Sequence, residues 1–235
     1  NIIMFYCVLL YSSKEHRMYV NMNCDFPVDF NFETHGLSEL FVRATMVFSD
    51  DANAQQKVER CLQHRHENNA NVPDHVKRHV LRSSSAVGTN GVTYHGDSND
   101  SNSWYSVLVE YQNTQHAASL APLHTYKFVC KNSCNSGINR RATAIVFTLE
   151  DSVGTILGRQ VVGVRVCSCP RRDLLKDETD SKTRRDASPS AEPKAKKIKI
   201  EVLPSLPDDR LCTLPPAGRQ VCSPVLEFLC IYIIF

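Results

Sequence analysis

The apolar positions between about residues 18 and 169 mostly follow a period of two. In LFVRATMVF, apolar residues stand at every second position from Leu40 to Phe48, which is typical of a half-buried strand. WYSVLVEY, TYKFV, TAIVFTL and QVVGVRVC are further strand candidates, and polar or glycine-containing turns such as GTNG and EDSVG separate them. Several short strands without long helices between them predict a sandwich of two β-sheets.

Two helices are expected to interrupt the strands. One is short and covers about residues 51–60, after the candidate capping residues Ser49 and Asp50. The other begins near Pro170, because proline suits the first helical turn, and runs through PRRDLLKDE.

Length and composition divide the chain into three parts. Its 235 residues are enough for one sizeable domain with tails, and we place that domain at residues 11–180. Residues 181–235 begin with a segment rich in Lys, Ser, Pro and acidic residues, which predicts a disordered basic tail. Residues 1–10 are apolar, but they lack a basic leading segment and are far shorter than the roughly 20 residues of a membrane span. We therefore expect no signal peptide, membrane anchor or membrane partner.

Both ends are interpreted as foreign to the domain. The sequence starts with Asn1 rather than Met, and residues 225–235 end in the apolar EFLCIYIIF. We hypothesise that an incomplete or mis-spliced translation added both segments.

Charge and cysteine content leave the function open. The formal net charge is only +2, so composition alone does not indicate a nucleic-acid-binding protein. Ten cysteines suit either a secreted disulfide framework or an intracellular metal and thiol protein. Their spacing lacks the regular pattern of a small disulfide scaffold, so the choice rests on local motifs.

Two short motifs resemble halves of a metal site. Cys61 and His64 lie in ERCLQHRH, and Cys130 and Cys134 lie in CKNSC. A Cys/His pair and a Cys pair from two loops would complete a tetrahedral zinc site, which would be structural because no position stays open for water. His66 is a competing ligand. The alternative is that Cys61 is a small buried hydrophobe and His64 a surface residue.

A pair of arginines follows the second motif in GINRRA. A zinc ion that joins the two motifs would also rigidify the loop of Asn139, Arg140 and Arg141 and pre-organise a long cationic side chain. A rigid arginine suits insertion into a narrow DNA minor groove, where the potential is most negative. The alternative is a solvated basic turn at the start of a strand.

A second basic segment, VRVCSCPRRD, ends the last predicted strand and starts the second helix. Because the alternate valines of this strand face one way, Arg165 faces away from the core. Arg171 and Arg172 fall in the first helical turn, where the helix dipole disfavours cations. A phosphate or guanine partner would explain them, and Asp173 is placed to hold Arg172 in line. The alternative is a capped helix with incidental arginines.

The motifs Cys-x3-Cys, Gly-x-Asn-Arg-Arg, Thr-Leu-Glu-Asp, Leu-Gly-Arg and Val-Arg-Val-Cys-x-Cys-Pro follow one another in FVCKNSCNSGINRRATAIVFTLEDSVGTILGRQVVGVRVCSCPRRD. This order closely resembles the end of the DNA-binding core of the p53 family of tumour-suppressor transcription factors. FVRATMVF, VERCLQH and SVLVEY fall in the family's order upstream. The resemblance covers roughly residues 11–178, and the divergence favours an invertebrate member.

The resemblance implies a mainly β fold, an immunoglobulin-like β-sandwich with zinc-tethered loops and a loop-sheet-helix DNA-binding surface. It implies one structural Zn²⁺ held by Cys61, His64, Cys130 and Cys134, and it favours His64 over His66. Arg60, just before the first ligand, looks structural.

The resemblance also implies roles on DNA. Arg140 matches the minor-groove arginine, Arg165 the phosphate-contacting strand arginine, and Arg172 the arginine that reads guanine. The other implied DNA-binding residues are Cys169 beside a base, Ser133 and Ser168 at backbone contacts, and Asn139 next to Arg140. Two departures bear on this surface: Leu174 and Leu175 replace arginines of the helix, and the apolar MFYCVLL replaces a basic first loop.

The tail contains a candidate bipartite nuclear import motif. Its basic residues are Arg184, Arg185, Lys194, Lys196, Lys197 and Lys199. Family members carry an import signal in the same region, which favours a nuclear location, with a cytoplasmic pool. The alternative is a solvated linker.

The sequence therefore predicts a zinc-stabilised transcription factor, not an enzyme, that regulates stress-response, cell-cycle and apoptosis genes. Its partner would be double-stranded DNA with tandem half-sites, bound by a homo-oligomer, although the family's tetramer-forming segment is not recognisable here. A secreted β-sandwich adhesion module is the first alternative and predicts cysteines paired across sheets. A zinc hydrolase or deaminase is the second and predicts an open metal position near an acid such as Glu67.

Overall fold

The computed structural model describes residues 8–31, 39–67, 72–84, 91–111, 124–185 and 229–232. Eleven strands are described: β1 Leu9–Ser12, β2 Arg17–Val20, β3 Asp25–Asn31, β4 Leu40–Phe48, β5 Leu81–Ser83, β6 Val92–His95, β7 Ser106–Tyr111, β8 His124–Phe128, β9 Thr143–Asp151, β10 Ile156–Val166 and β11 Leu229–Tyr232. The α-helices are α1 Leu62–His66 and α2 Pro170–Arg185, and short 3-10 helices cover Asp51–Asn53 and Asp74–Val76.

The strands form two sheets, which confirms the mainly β sandwich. The larger sheet has the order β1-β2-β10-β9-β4-β7-β6, and the smaller has the order β11-β3-β8-β5. Strand β2 runs parallel to β10, and β11 runs parallel to β3, whereas the other pairs are antiparallel. Aromatic rings join the sheets, because Phe147 of β9 meets Phe30 of β3 at 5.3 Å and Tyr126 of β8 at 6.1 Å between ring centroids.

Strand β4 shows why the period-two pattern is informative. Its residues alternate between buried and partly exposed from Leu40 to Phe48, as the sequence predicts. It lies between β7 and β9 in the larger sheet, so one face of the strand packs in the core. On β10 the three alternate valines are buried, and Arg165 between them is partly exposed.

The predicted helix over residues 51–60 is wrong beyond its first turn. Only Asp51–Asn53 is helical, and it is a 3-10 helix. Lys57 instead forms a β-bridge with Val47, and Val58 is buried in the core. Burial of this apolar side chain against the sheet therefore outweighs local helix propensity.

The second predicted helix begins at Pro170 as expected but continues to Arg185, so the first five residues of the predicted tail are helical. Leu229–Tyr232, within the predicted tail, forms β11 beside β3. The other tail residues and residues 1–7 lie outside the described part of the chain. Among the described residues, no helix combines the length and apolar character needed to span a membrane.

Candidate metal centre and nucleic-acid interface

Four side chains from two loops converge on one point. The ligand atoms of Cys61, His64, Cys130 and Cys134 all lie within 4.8 Å of one another. Cys61 caps the N-terminus of α1 and its sulfur accepts a hydrogen bond from the His64 backbone, which sets His64 at the same end of the helix. Nδ1 of His64 lies 3.1 Å from Sγ of Cys61 and 3.6 Å from Sγ of Cys134.

The donor set and its burial fit one structural zinc ion. Three sulfurs and one imidazole nitrogen are ligands that zinc favours in closed sites. Burial raises the pKa of the Cys130 thiol, so a bound cation is what would hold this sulfur as a thiolate. His66 is exposed and outside the cluster. The choice left open between the two histidines therefore falls on His64.

A second layer of residues holds the ligands in place. Oε1 of Glu67 lies 3.6 Å from Nε2 of His64, on the opposite side of the ring from the sulfurs. This carboxylate is thus placed to orient the imidazole rather than to activate water at an open metal position. Arg60 is buried and donates from Nε to the carbonyl of Val129 at 3.1 Å, next to Cys130. It ties the two ligand loops together, in line with the structural role that the resemblance implies.

Asn132 connects the cysteine loop to the larger sheet. Its amide oxygen accepts from the backbone of Val166 at 2.8 Å, and its amide nitrogen donates to Oγ1 of Thr143 at 3.1 Å. Its carbonyl accepts from the backbone of Arg140 at 2.6 Å. Asn139 and Arg140 have φ angles of 52° and 61°, in the left-handed region that residues other than glycine rarely adopt. The four metal ligands and Asn132 together fix this strained turn.

The two arginines of this turn differ sharply. Arg141 stacks over the ring of Phe48 at 3.8 Å. Its guanidinium also donates to the carbonyls of Ile138 and Gly137, each at 2.9 Å, and to the side chains of Asn53 at 3.0 Å and Gln56 at 2.5 Å. Arg140 is exposed, and its side chain makes no hydrogen bond or ion pair to the described residues. Arg141 is therefore structural, and Arg140 is available to a ligand.

Asp173 organises the basic residues at the start of α2. Its Oδ2 accepts from Nε of Arg165 at 3.1 Å, and its Oδ1 accepts from Nε and Nη2 of Arg172, each at 3.2 Å. Burial alone would raise the pKa of Asp173, but Arg165, Arg172 and the Cys167 thiol outweigh it and hold the pKa below its usual value. The carboxylate therefore stays ionised at neutral pH and keeps both arginines aligned.

These elements enclose a cleft of ≈ 610 Å³ at the surface. Five of the seven residues that the resemblance places on DNA line it: Ser133, Arg140, Arg165, Ser168 and Arg172. Asn139 and Cys169 are exposed but do not line the cleft.

Two further cations in the cleft lining, Arg17 and Lys176, are missing from the sequence prediction. Lys176 lies one helical turn after Arg172, so helical spacing could have indicated it. Arg17 enters through the parallel pairing of β2 with β10, which no local pattern indicates.

Contacts from the β1–β2 hairpin support α2, although Leu174 and Leu175 stand where the resemblance implies arginines. Oγ of Ser12 donates to Oε1 of Glu178 at 2.7 Å, and Nζ of Lys14 donates to the Glu178 carbonyl at 3.0 Å. The β1–β2 hairpin therefore holds α2 from the side. Leu174 is partly buried and Leu175 is 54% exposed.

The cysteines favour a metal centre over a disulfide framework. Among the cysteines whose side chains the structure describes, Cys24 is disulfide-bonded. The free thiols are Cys61, Cys130, Cys134, Cys167 and Cys169. The three cysteines of the cluster are therefore free thiols, whereas an adhesion module would require cysteines paired across the sheets.

Comparison with known proteins gives one family. The profile of the p53 DNA-binding domain matches residues 6–181. The chain is similar to cellular tumor antigen p53 of Ictalurus punctatus, with 30% identity over 190 residues that cover 76% of the chain and 49% of that protein. It is also similar to cellular tumor antigen p53 of Oncorhynchus mykiss, at 28% identity over 80% of the chain and 50% of the relative, and of Xenopus laevis, at 28% over 77% and 48%. The chain spans about half the length of these curated relatives.

Removal of zinc is expected to destabilise the fold. Purified protein should contain one zinc per chain by elemental analysis, and a chelator should lower the thermal unfolding midpoint by about 4 °C or more, because the metal would bind the folded arrangement of the two loops and not the unfolded chain. Cys134→Ser should unfold at the low midpoint with or without chelator. Cys169→Ser, an exposed thiol outside the cluster, should respond like the original chain. A chelator that leaves the original midpoint unchanged would contradict the metal site.

Replacement of the two arginines of the turn should change the free energy of unfolding by different amounts. Arg141→Ala is expected to lower the free energy of unfolding by about 2 kcal/mol, because it removes several hydrogen bonds from a charged donor and a stacking contact. Arg140→Ala should change it by less than about 0.5 kcal/mol. Urea denaturation of the two variants measures both values, and equal losses would show that Arg140 is also part of the scaffold.

Proposed function

This chain belongs to the p53 DNA-binding domain family, and we propose that it is a sequence-specific transcription factor that binds double-stranded DNA. The family consists of DNA-binding transcription factors, not enzymes. The observation that carries the proposal is the cleft lined by Arg140, Arg165 and Arg172. These cations come from a turn, a strand and a helix, so the fold brings three separate elements to one cleft.

The three arginines divide the work. Arg172 stands in the first turn of α2 with its side chain 74% exposed, in reach of a guanine edge in the major groove. Arg165 lies deeper, beside the helix, and suits a phosphate. Arg140, free of protein partners among the described residues, suits the minor groove. Ser133, Asn139, Ser168 and Cys169 add contacts to the backbone or to a base.

The zinc is structural in this proposal. Cys61, His64, Cys130 and Cys134 hold it, and its contribution is to tie two loops together close to Arg140. Its donor set leaves no position for a reacting water. DNA binding therefore depends on the metal through the conformation of the turn.

We further propose a homo-oligomer on tandem half-sites, a tetramer as the resemblance implies, which regulates stress-response, cell-cycle and apoptosis genes. The support for this is family membership. A duplex with two half-sites should bind with a steeper isotherm than a duplex with one half-site.

We place the protein in the nucleus, with a cytoplasmic pool. The support is the basic tail, in which Arg184 and Arg185 end α2. Lys194, Lys196, Lys197 and Lys199 lie outside the described residues.

Arg172 and Arg165 should differ on DNA. Arg172→Ala is expected to weaken binding to a tandem half-site duplex by about 1 to 3 kcal/mol and to relax the guanine preference, because it removes a base contact. Arg165→Ala should weaken specific and random duplexes alike and flatten the salt dependence by about one charge. Fluorescence anisotropy with both duplexes at several salt concentrations measures these changes.

The same titrations contain their own control. The original chain should prefer the half-site duplex to a scrambled one at near-physiological salt, and a chelator should abolish that preference. Equal weak binding to both duplexes by the original chain would contradict the proposed function. Equal losses on both duplexes for both variants would contradict only the division of roles.

The import motif can be tested by itself. A fluorescent protein fused to residues 180–201 should accumulate in nuclei, because clustered Lys and Arg residues are typical of nuclear import motifs. Replacing the four tail lysines with Gln should leave the fusion in the cytoplasm. A cytoplasmic location of the unmodified fusion would refute the motif.

A further inference from the structure

Asp177 lies at a junction of three elements next to the cleft. It belongs to α2, and its side chain is 17% exposed. Its Oδ2 accepts from Nη1 of Arg17 at 3.0 Å and from the hydroxyl of Tyr19 at 2.9 Å, both on β2. Its Oδ1 lies 3.6 Å from Nη1 of Arg165 on β10. One carboxylate thus joins the helix, the hairpin and the strand.

The partners of Asp177 are themselves held in place. Tyr19 is fully buried, and burial together with the hydrogen bond to Asp177 raises the pKa of its hydroxyl, which therefore stays a donor. Arg165 has Asp173 on one side and Asp177 on the other, four residues apart on the same face of the helix. Two carboxylates therefore define where the guanidinium of Arg165 lies.

We propose that Asp177 is a positioning residue of the DNA-binding surface, which fixes Arg165 and the angle of α2 for sequence-specific binding. The inference rests on the proposed function, because it assigns Arg165 and α2 to the DNA. Asp177 itself contacts protein groups rather than DNA.

The negative charge of Asp177 should affect affinity for random DNA and discrimination between duplexes in opposite directions. An acidic group close to a basic cleft repels phosphates, so it weakens binding that depends on charge alone. Asp177 also holds Arg165 and α2 in place before DNA binds, so these groups lose less conformational entropy at a specific site. The residue therefore lowers affinity for random DNA and raises discrimination. A residue that only stabilised the fold would raise both affinities together.

The test compares Asp177→Asn with the original 235-residue chain, both zinc-loaded and well below the unfolding midpoint. On random duplex the variant should bind about twofold more tightly, because one negative charge is lost. The preference of the variant for the half-site duplex over random DNA should fall by about tenfold, because the hydrogen bonds to a charged group are weakened. Hydrogen exchange of peptides covering residues 174–180 should accelerate by about tenfold, since the helix loses its attachment.

Two further variants separate charge from position. Asp180→Asn removes an exposed acid of the same helix that makes no ion pair among the described residues, so it should tighten random binding without loss of preference or of exchange protection. Tyr19→Phe keeps the charge and removes one hydrogen bond, so it should lower the preference by a few fold and leave random binding unchanged.

The outcomes are separable from those of the proposed function. If the original chain shows no half-site preference, the proposed function fails, and hydrogen exchange still tests whether Asp177 fixes α2. Unchanged preference and unchanged exchange in Asp177→Asn would overturn the positioning role. Equal weakening on both duplexes would also overturn it, in favour of a purely structural role.

Discussion

Two loops far apart in sequence must bring four ligand atoms to one point, and the binding surface depends on this constraint. Cys61 and His64 come from the segment around α1, and Cys130 and Cys134 come from the loop after β8. The second loop continues directly into the turn of Arg140, so the metal cluster and Asn132 hold a backbone conformation that the turn would not keep alone. Arg60 and Glu67 support the cluster from outside. The conformation that exposes Arg140 therefore depends on the buried metal ligands and on Asn132.

Acidic residues hold two of the cations of this surface. Asp173 contacts both Arg165 and Arg172, and Asp177 contacts Arg165 from the next turn of the helix. Long cationic side chains lose much conformational freedom when they bind. Fixed carboxylates reduce that loss at the cost of some attraction for phosphate. The low net charge of the whole chain is consistent with a surface that orders its cations instead of accumulating them.

The sequence predicts those features that depend on local spacing. The alternation in β4 and β10, the start of α2 at Pro170 and the two halves of the metal cluster all follow from short-range patterns. Patterns of this kind fail where a distant contact decides. The segment after Asp51–Asn53 leaves its helix because Val58 is buried in the core. Arg17 joins the cleft because β2 pairs with β10, and Arg141 differs from Arg140 only through contacts made in three dimensions.

The parallel pairing of β2 with β10 also has a consequence for the order of folding. Asn21, next to β2, donates to the carbonyl of Cys167, 146 positions further along the chain. Contacts between residues so distant form slowly, because the intervening chain must close a large loop first. During synthesis, the β1–β2 hairpin cannot pair with β10 until nearly the whole domain has left the ribosome. The proposed DNA-binding surface is therefore among the last parts of the domain to be completed, so a chain truncated before β10 would leave the edge of β2 unpaired and would lack Arg165 and Arg172.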